Sequence, residues 1–470
     1  MRRQIYILVF LVLNLSALAQ TIQIESNTLA GSKGKLPFWL WANQLGRYEQ
    51  NDDFTQHFGI DARYQKQAIF GNLNFDAAAN IDFLLANENS IRFTELFGSF
   101  NWKVFQFKMG AFAESEEYEG LSASNGNLAN TRNARPHPRI KVGFNRFVPL
   151  GADWFSIYGF YEEGLLNDDR YVDDTHLHHK AFYIRVGRPN KLNVTGGIEH
   201  YVMWGGTHPS YGELPGWESY FDYITGKSGD ENALLTDQLN VLGNQYGTYQ
   251  LKINKEWINY STSFYISHPF DDRSGLELVN YQDNLYGVFI RTKAQQALIE
   301  GLVIEYYHTT NQSGAYHLVE QEDGTKSGRG RDDYFNHGIY RSGVTYQQHG
   351  IVSPLFGPVS IDDSGISTGF ESTRFTGVHF GANGSLSSRF IWKAMMTYTR
   401  HLGRYITGGV TSFDPARKQA SGLLNIEWRS ARKPLTLGAS FAGDHGSLYD
   451  DGRSETRLGV QFSAKWLIAE

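Results

Sequence analysis

The chain of 470 residues has no cysteine, only 12 prolines and a charged fraction of 20%. The missing cysteine excludes a disulfide scaffold, a thiolate zinc site, iron–sulfur ligation and a lipid-modified N-terminal cysteine. Beyond the N-terminus no apolar run approaches roughly 18 residues, so any membrane insertion must use strands. Basic residues are few, 43 Lys and Arg against 49 Asp and Glu, and form no patch suited to nucleic acid. Glycine (49) and aromatics (27 Tyr, 31 Phe, 10 Trp) are abundant instead. With 41% hydrophobic and 14% aromatic residues the chain is not disordered. A mean hydropathy of −0.41 is too polar for a helical membrane protein. It is the balance expected when half of each strand faces an apolar surface and half faces water.

Met1-Arg2-Arg3, the apolar stretch Ile5 to Leu15 and the small residues of Ala17-Leu18-Ala19 predict a signal peptide over 1–19. A membrane anchor is the alternative, but the apolar stretch is too short to span about 30 Å comfortably. Residues 20–35 are expected to form a short periplasmic segment, and 36–470 the barrel described next.

Residues 71–84 carry the clearest pattern. Leu73, Phe75, Ala77, Ala79, Ile81 and Phe83 alternate with Asn72, Asn74, Asp76, Ala78, Asn80 and Asp82. Period-two alternation puts one set against an apolar surface and the other against water. The pattern recurs at the end of the chain, where Leu458, Val460, Phe462, Ala464 and Trp466 alternate with Gly459, Gln461, Ser463 and Lys465. Most such runs are 9 to 14 residues long, which suits tilted transmembrane strands. Their connections alternate between short turns and long loops, near 113–138, 164–175, 204–244, 268–283, 310–369, 402–419 and 445–455. An outer-membrane barrel sorts its connections in this way, and a soluble sandwich has no reason to. Only the 84–91 link is short where a long one is expected. Seventeen runs are evident, and both termini belong at the short-turn end, so one strand must precede residue 54. Leu36 to Gly46 is the candidate. The expected fold is an all-β transmembrane antiparallel barrel of about 18 strands, with 16 the next choice, its lumen closed by long outer loops.

The seven long loops hold 29 acids and 13 bases, a sum of −16 against −6 for the whole chain. Such a rim disfavours passage of anions, although solvated carboxylates also serve solubility. The 204–244 loop carries Trp204, His208, Tyr211, Trp217, Tyr220 and Tyr223, followed by a predicted helix near Glu231 to Leu242. Ring faces with flanking polar groups suit sugars; folding the loop into the barrel mouth explains any single ring as well. The 310–369 loop holds Arg329, Arg331, Tyr334 and Tyr340-Arg341-Ser342-Gly343, and its length marks it as functional or as a plug. In 113–138, Arg132 and Arg135 either pair with lumen acids or meet a sugar acid.

Of the histidine cluster, His176 and His178 share a strand face and His179 takes the other, too few ligands for zinc. Asp271-Asp272 and Asp362-Asp363 fit no recognised calcium loop. Neither a G-x-S-x-G, an H-E-x-x-H nor a P-loop occurs, so no catalytic site, metal or cofactor is assigned.

The sequence resembles the capsule-assembly Wzi family of outer-membrane proteins. The resemblance rests on Leu36 to Gly46, Asn130 to Ile140, His200 to Pro209, Gly243 to Gly247 and Tyr334 to Phe356. It implies an 18-stranded barrel closed to free diffusion, a surface lectin helping to hold capsular polysaccharide on the cell. Well-known members carry a periplasmic helical bundle before the barrel, which residues 20–35 are too few to build. The chain also ends beyond Trp466, where barrels commonly end on an aromatic residue. The expected protein is a non-enzymatic monomer in outer-membrane lipid. Trp204, His208, Tyr211, Trp217, Arg329, Arg331 and Tyr334 are its candidate polysaccharide-binding residues. The alternative is a passive channel for saccharides or other small solutes; a barrel-borne enzyme would need a converged acid–base set.

Overall fold

The computed structural model describes residues 20–227, 242–271, 278–314, 317–320, 326–405 and 412–469. The expected signal peptide and nearly all of the helix expected near 231–242 lie outside them. Eighteen antiparallel strands close into one barrel. They are β1 (Thr21–Gly31), β2 (Phe54–Phe70), β3 (Leu73–Leu85), β4 (Ser90–Trp102), β5 (Phe105–Ala111) and β6 (Pro138–Phe144, continued by Val148–Leu150). Next come β7 (Ala152–Leu166), β8 (Thr175–Gly187), β9 (Leu192–Trp204), β10 (Asn244–Glu256), β11 (Tyr260–Phe270) and β12 (Asn284–Thr292). The circuit ends with β13 (Gly301–His308), β14 (Arg374–Ser385), β15 (Phe390–Gly403), β16 (Arg417–Arg429), β17 (Leu435–Gly446) and β18 (Glu455–Ala469). Each pairs with its sequence neighbours, and β1 closes the ring against β18. No edge is left unpaired, as a bilayer requires. Among the described residues no helix is long and apolar enough to cross a membrane.

Alternation sets the two faces. On β18, Leu458, Phe462, Trp466 and Ile468 are exposed outside while Arg457 is buried inside. On β4, Ile91, Phe93, Leu96, Phe100 and Trp102 are exposed outside. A belt of this size in water would drive aggregation; in lipid it is the barrel's solvent contact. Asp76, Asn80 and Asp82 of β3 face the lumen, as their alternation with Phe75, Ile81 and Phe83 predicts.

The strand count agrees with expectation, but the first strand does not. Residues 21–31, expected in the periplasm, form β1 in the wall. Its outward side carries Ser26 and Thr28, so the apolar signal is weak. Thr28 Oγ1 donates to Gln56 Oε1 at 2.6 Å, and Gln56 Nε2 donates to Ser26 Oγ at 3.1 Å. The 36–46 segment is not a strand. It lies in the β1–β2 loop and forms a one-turn helix, α1 (Phe38–Trp41), which Pro37 precedes at φ −59°. Phe38, Trp39 and Leu40 are all buried, because other loops and the wall surround them. Alternation read there has no lipid face to report.

The predicted sorting of connections holds. Turns of one to eight residues join β2–β3, β4–β5 and the following alternate pairs at one end. The long loops and the short 86–89 link lie at the other. Loops 32–53 and 112–137, with residues 330–373 of the β13–β14 loop, fold back into the barrel and plug its long-loop end. Leu45 and Gly46 donate their N–H groups to Arg132 O and Asn133 O, while Thr131 N–H donates to Ile351 O and Ser353 N–H to Leu128 O. One apolar cluster then runs from Phe38 and Trp39 through Leu121 and Leu128 to Tyr334, Phe335, Val352 and Phe356. Gly381 makes room for this plug, since a Cβ there would lie 2.4 Å from Leu121 O.

Candidate functional site

Two features at the long-loop end bear on function: the seal across the lumen and an aromatic cluster on its rim. The seal is anchored on Glu305 of β13, a buried carboxylate reached by four donors. Ala123 N–H donates to Oε2 at 3.0 Å, Tyr307 OH to Oε2 at 2.6 Å, Tyr265 OH to Oε1 at 2.7 Å, and Ser122 Oγ–H also to Oε1. A carboxylate accepting several hydrogen bonds is well compensated for its burial. On the neighbouring strands β8–β10, rings continue the seal. His179 stacks on Tyr201 at 3.9 Å, Tyr201 on Tyr246 at 4.8 Å, and Tyr246 meets the edge of Phe335 at 5.7 Å.

The rim cluster joins three loops. Tyr211 stacks on His208 at 4.4 Å, and Tyr171 meets His208 edge-on at 5.2 Å. Arg341 lies 4.9 Å over the Tyr171 ring and donates from Nη1 to its hydroxyl at 3.2 Å. Tyr211 and Arg341 are exposed. The base of the cluster is tied down by hydrogen bonds and an ion pair. Arg170 is buried, pairs with Asp168 at 3.1 Å and donates to Thr345 O; Tyr171 N–H donates to Ser342 Oγ at 2.9 Å. His208 is held neutral: burial and then the Arg341 charge lower its pKa, and its Nδ1 accepts from the N–H groups of Ser210 and Tyr211 at 3.0 and 3.2 Å. His337 repeats the device, with Nδ1 accepting from the N–H groups of Ile339 and Tyr340, and burial pushes it down to about 4.

Of the residues singled out in the sequence, His208 and Tyr211 share this rim. Trp204 does not. It faces outward from β9 and is buried under residues 212–227, which lie on the outside of the barrel wall and not in its mouth. Its ring stacks on His176 at 4.3 Å and meets Trp217 edge-on at 4.8 Å, and Nε1 donates to Glu163 Oε1 at 2.8 Å. Tyr220 OH donates to Glu163 Oε2 at 2.7 Å, and Gln245 Nε2 donates to Tyr223 O and Leu242 O at 2.8 Å each. This flap, with its helix α2 (Tyr220–Thr225), thus covers polar groups of β7–β10 that lipid would leave unpaired. Trp217, on the flap's surface, is 62% exposed. Tyr334 is fully buried, its hydroxyl bound to Asp283 Oδ2 at 2.7 Å and Asn280 Nδ2 at 2.6 Å. Arg331 is half-buried with its N–H on Gly314 O, and Arg329 pairs by its backbone with His317 in a short hairpin. Tyr171 and Arg341 join the rim although neither is among the candidate binding residues read from the sequence.

His176 and His178 do point outward and His179 inward, as alternation predicts. Arg132 pairs with Glu116 at 4.0 Å; Arg135 makes no ion pair among the described residues. The cluster with metal-ligand spacing among the described residues is Glu25, His57 and Asp82. Arg47 already pairs with both of its carboxylates, 3.4 Å from Glu25 and 3.3 Å from Asp82. Both His57 nitrogens are engaged as well, Nε2 with Asp82 at 2.7 Å and Nδ1 with Asn27 and Tyr48. It is a luminal charge network.

Comparison with solved structures aligns the chain with Wzi, an outer-membrane protein involved in group 1 capsule assembly in Escherichia coli and a carbohydrate-binding β-barrel. The TM-score is 0.59 at 13% identity, covering 98% of this chain and 87% of that one. OpdQ of Pseudomonas aeruginosa gives a TM-score of 0.49 at 7% identity, covering 95% of this chain and 98% of that one. OprD of the same organism gives 0.48 at 7%, covering 96% and 95%. No curated protein matches the sequence. The family model for capsule assembly protein Wzi matches residues 40–359, more than half of the sequence. The chain belongs to the Wzi family of capsule assembly proteins.

Proposed function

We propose that this outer-membrane barrel binds capsular or surface polysaccharide at its long-loop end and helps attach or assemble it at the cell surface. The observation carrying this reading is the combination of a plugged lumen with an exposed ring-and-guanidinium cluster at the same end of the barrel. A channel needs the lumen; a lectin needs the rim. The Tyr211 ring face offers stacking to a sugar, Arg341 and the Tyr171 hydroxyl offer hydrogen bonds, and Trp217 extends the aromatic surface toward the outer wall. Arg331 lies in the loop that supplies Arg341 and serves a longer glycan. Trp204 and Tyr334 support the surface from beneath.

We read its action as binding without catalysis; in keeping with this, Glu305, Asp283, Asp168 and Glu163 are engaged in structural hydrogen bonds. We read it as a monomer, in keeping with a barrel that one chain closes by itself, with lipid as the partner of the outer belt. The test is retention of surface glycan by cells carrying Tyr211→Ala with Arg341→Gln. Loss of retained glycan with the barrel still folded in the outer membrane is expected. Unchanged retention contradicts the rim as the binding surface.

A further inference from the structure

Below the seal, the lumen is not filled. A chamber of about 590 Å³ runs from the inner surface of Phe112–Glu117 down to Asn145 and Phe147 beside the short turns. Its size lies within the roughly 300–1,000 Å³ of small-molecule sites. The rim cannot reach it, because the apolar plug lies between. Its walls combine ring faces (Tyr118, Tyr158, Phe160) with side-chain amides (Gln106, Asn127, Gln250). That mixture suits sugars, whose C–H faces pack on rings and whose hydroxyls need donors and acceptors.

The charges of the chamber are unequally committed. Lys141 pairs with Glu162 at 2.8 Å, and Lys252 with Glu117 at 3.2 Å. Lys108 and Arg185 also face inward and line the chamber, yet neither has a carboxylate within 4 Å among the described residues. Lys108 lies 3.9 Å over Phe97 and 4.1 Å over Phe112. Arg185 lies 4.1 Å over Phe147 and donates from Nε to Ser156 Oγ at 3.1 Å. Ring faces orient these cations but supply no counter-charge. Arg185 is near the short-turn mouth and Lys108 deeper, so the two stand along the path of an entering chain.

We propose that this chamber is a second saccharide site, entered from the short-turn end and selective for sugars bearing a carboxylate, with Lys108 and Arg185 as its anion contacts. It contrasts with the acidic long loops, and it does not rest on the rim reading. The chain would then meet an acidic saccharide on the periplasmic side, apart from the glycan bound at the surface.

The test uses the full chain purified in detergent and tetragalacturonic acid as probe, followed by calorimetry. Binding is expected to weaken at least tenfold when the probe's carboxyls are methyl-esterified, and likewise in Lys108→Gln and in Arg185→Gln. Tyr211→Ala with Arg341→Gln should leave it unchanged, which separates failure here from failure of the rim. Absence of binding by the wild-type chain, equal affinity for the methyl ester, or equal affinity for succinate would each overturn the proposal. The ester and succinate comparisons need only the wild-type protein, so they decide the matter even if a variant fails to fold.

Discussion

Glu305 on the wall of the barrel holds Ala123 of the loop inside it, through an N–H donation of 3.0 Å to Oε2. Ser122, Tyr265 and Tyr307 donate to the same carboxylate, so this one side chain ties the plug to β13 and β11. Glu305→Gln replaces an acceptor oxygen with an NH₂ group facing donors. Loss of one such charge-assisted bond with its partner left buried costs about 3 kcal/mol. In planar bilayers the wild-type chain should be silent and Glu305→Gln should show intermittent current as the plug loosens. Steady single-channel steps from the wild-type chain would contradict the seal.

Gly381 lets Leu121 lie against the wall. A Cβ at 381 meets Leu121 O, a backbone atom that cannot swing aside, at 2.4 Å. Gly381→Ala should therefore lower stability by about 1–3 kcal/mol. At Gly422 the nearest atom to a new Cβ is Met395 O at 3.8 Å, an ordinary contact, so Gly422→Ala should be mild. Thermal midpoints in detergent compare the two; equal shifts would show that Leu121 gives way.

Trp204 and Trp217 touch, yet they should respond differently to truncation. Trp204→Ala removes a buried ring and its bond to Glu163, a change that costs about 3–5 kcal/mol. It should expose the 212–227 flap to protease. Trp217→Ala, at 62% exposure, should change stability by about 0.5 kcal/mol or less. A protease-resistant flap in Trp204→Ala would mean that its ring does not hold the flap to the wall.

His337 gives the plug a pH dependence. Folding lowers its pKa to about 4, whereas the unfolded chain protonates near about 6.5. The unfolded state thus binds the proton first as pH falls. The contribution of His337 is complete above about 6.5 and is progressively lost between there and about 4. His337→Asn keeps an acceptor for Ile339 and Tyr340 without titrating. Between pH 7 and 4.5 the wild-type thermal midpoint should fall further than the variant's; parallel curves would remove His337 as the cause.

The barrel was legible where one side of a strand meets lipid and the other water, as in Leu73–Leu85 and Leu458–Trp466. It was not legible at β1, where Ser26 and Thr28 face outward and satisfy each other through Gln56. Nor was it legible at Phe38–Trp41, where a plug buries residues on every side. The site was harder. The parity that makes Leu192 and Val194 face lipid also points Trp204 outward, a signal present in the sequence but hidden by reading the loop apart from its strand. Tyr171, His208, Tyr211 and Arg341 come from three loops, and no spacing within one loop shows that they meet.

The most direct measurement is binding of surface polysaccharide, isolated from cells that make it, to the purified barrel immobilised in detergent. The wild-type chain should bind it, and Tyr211→Ala with Arg341→Gln should weaken binding at least tenfold while the thermal midpoint stays unchanged. Equal binding by the two proteins, or none by the wild-type chain, would contradict a glycan-binding rim above a sealed lumen.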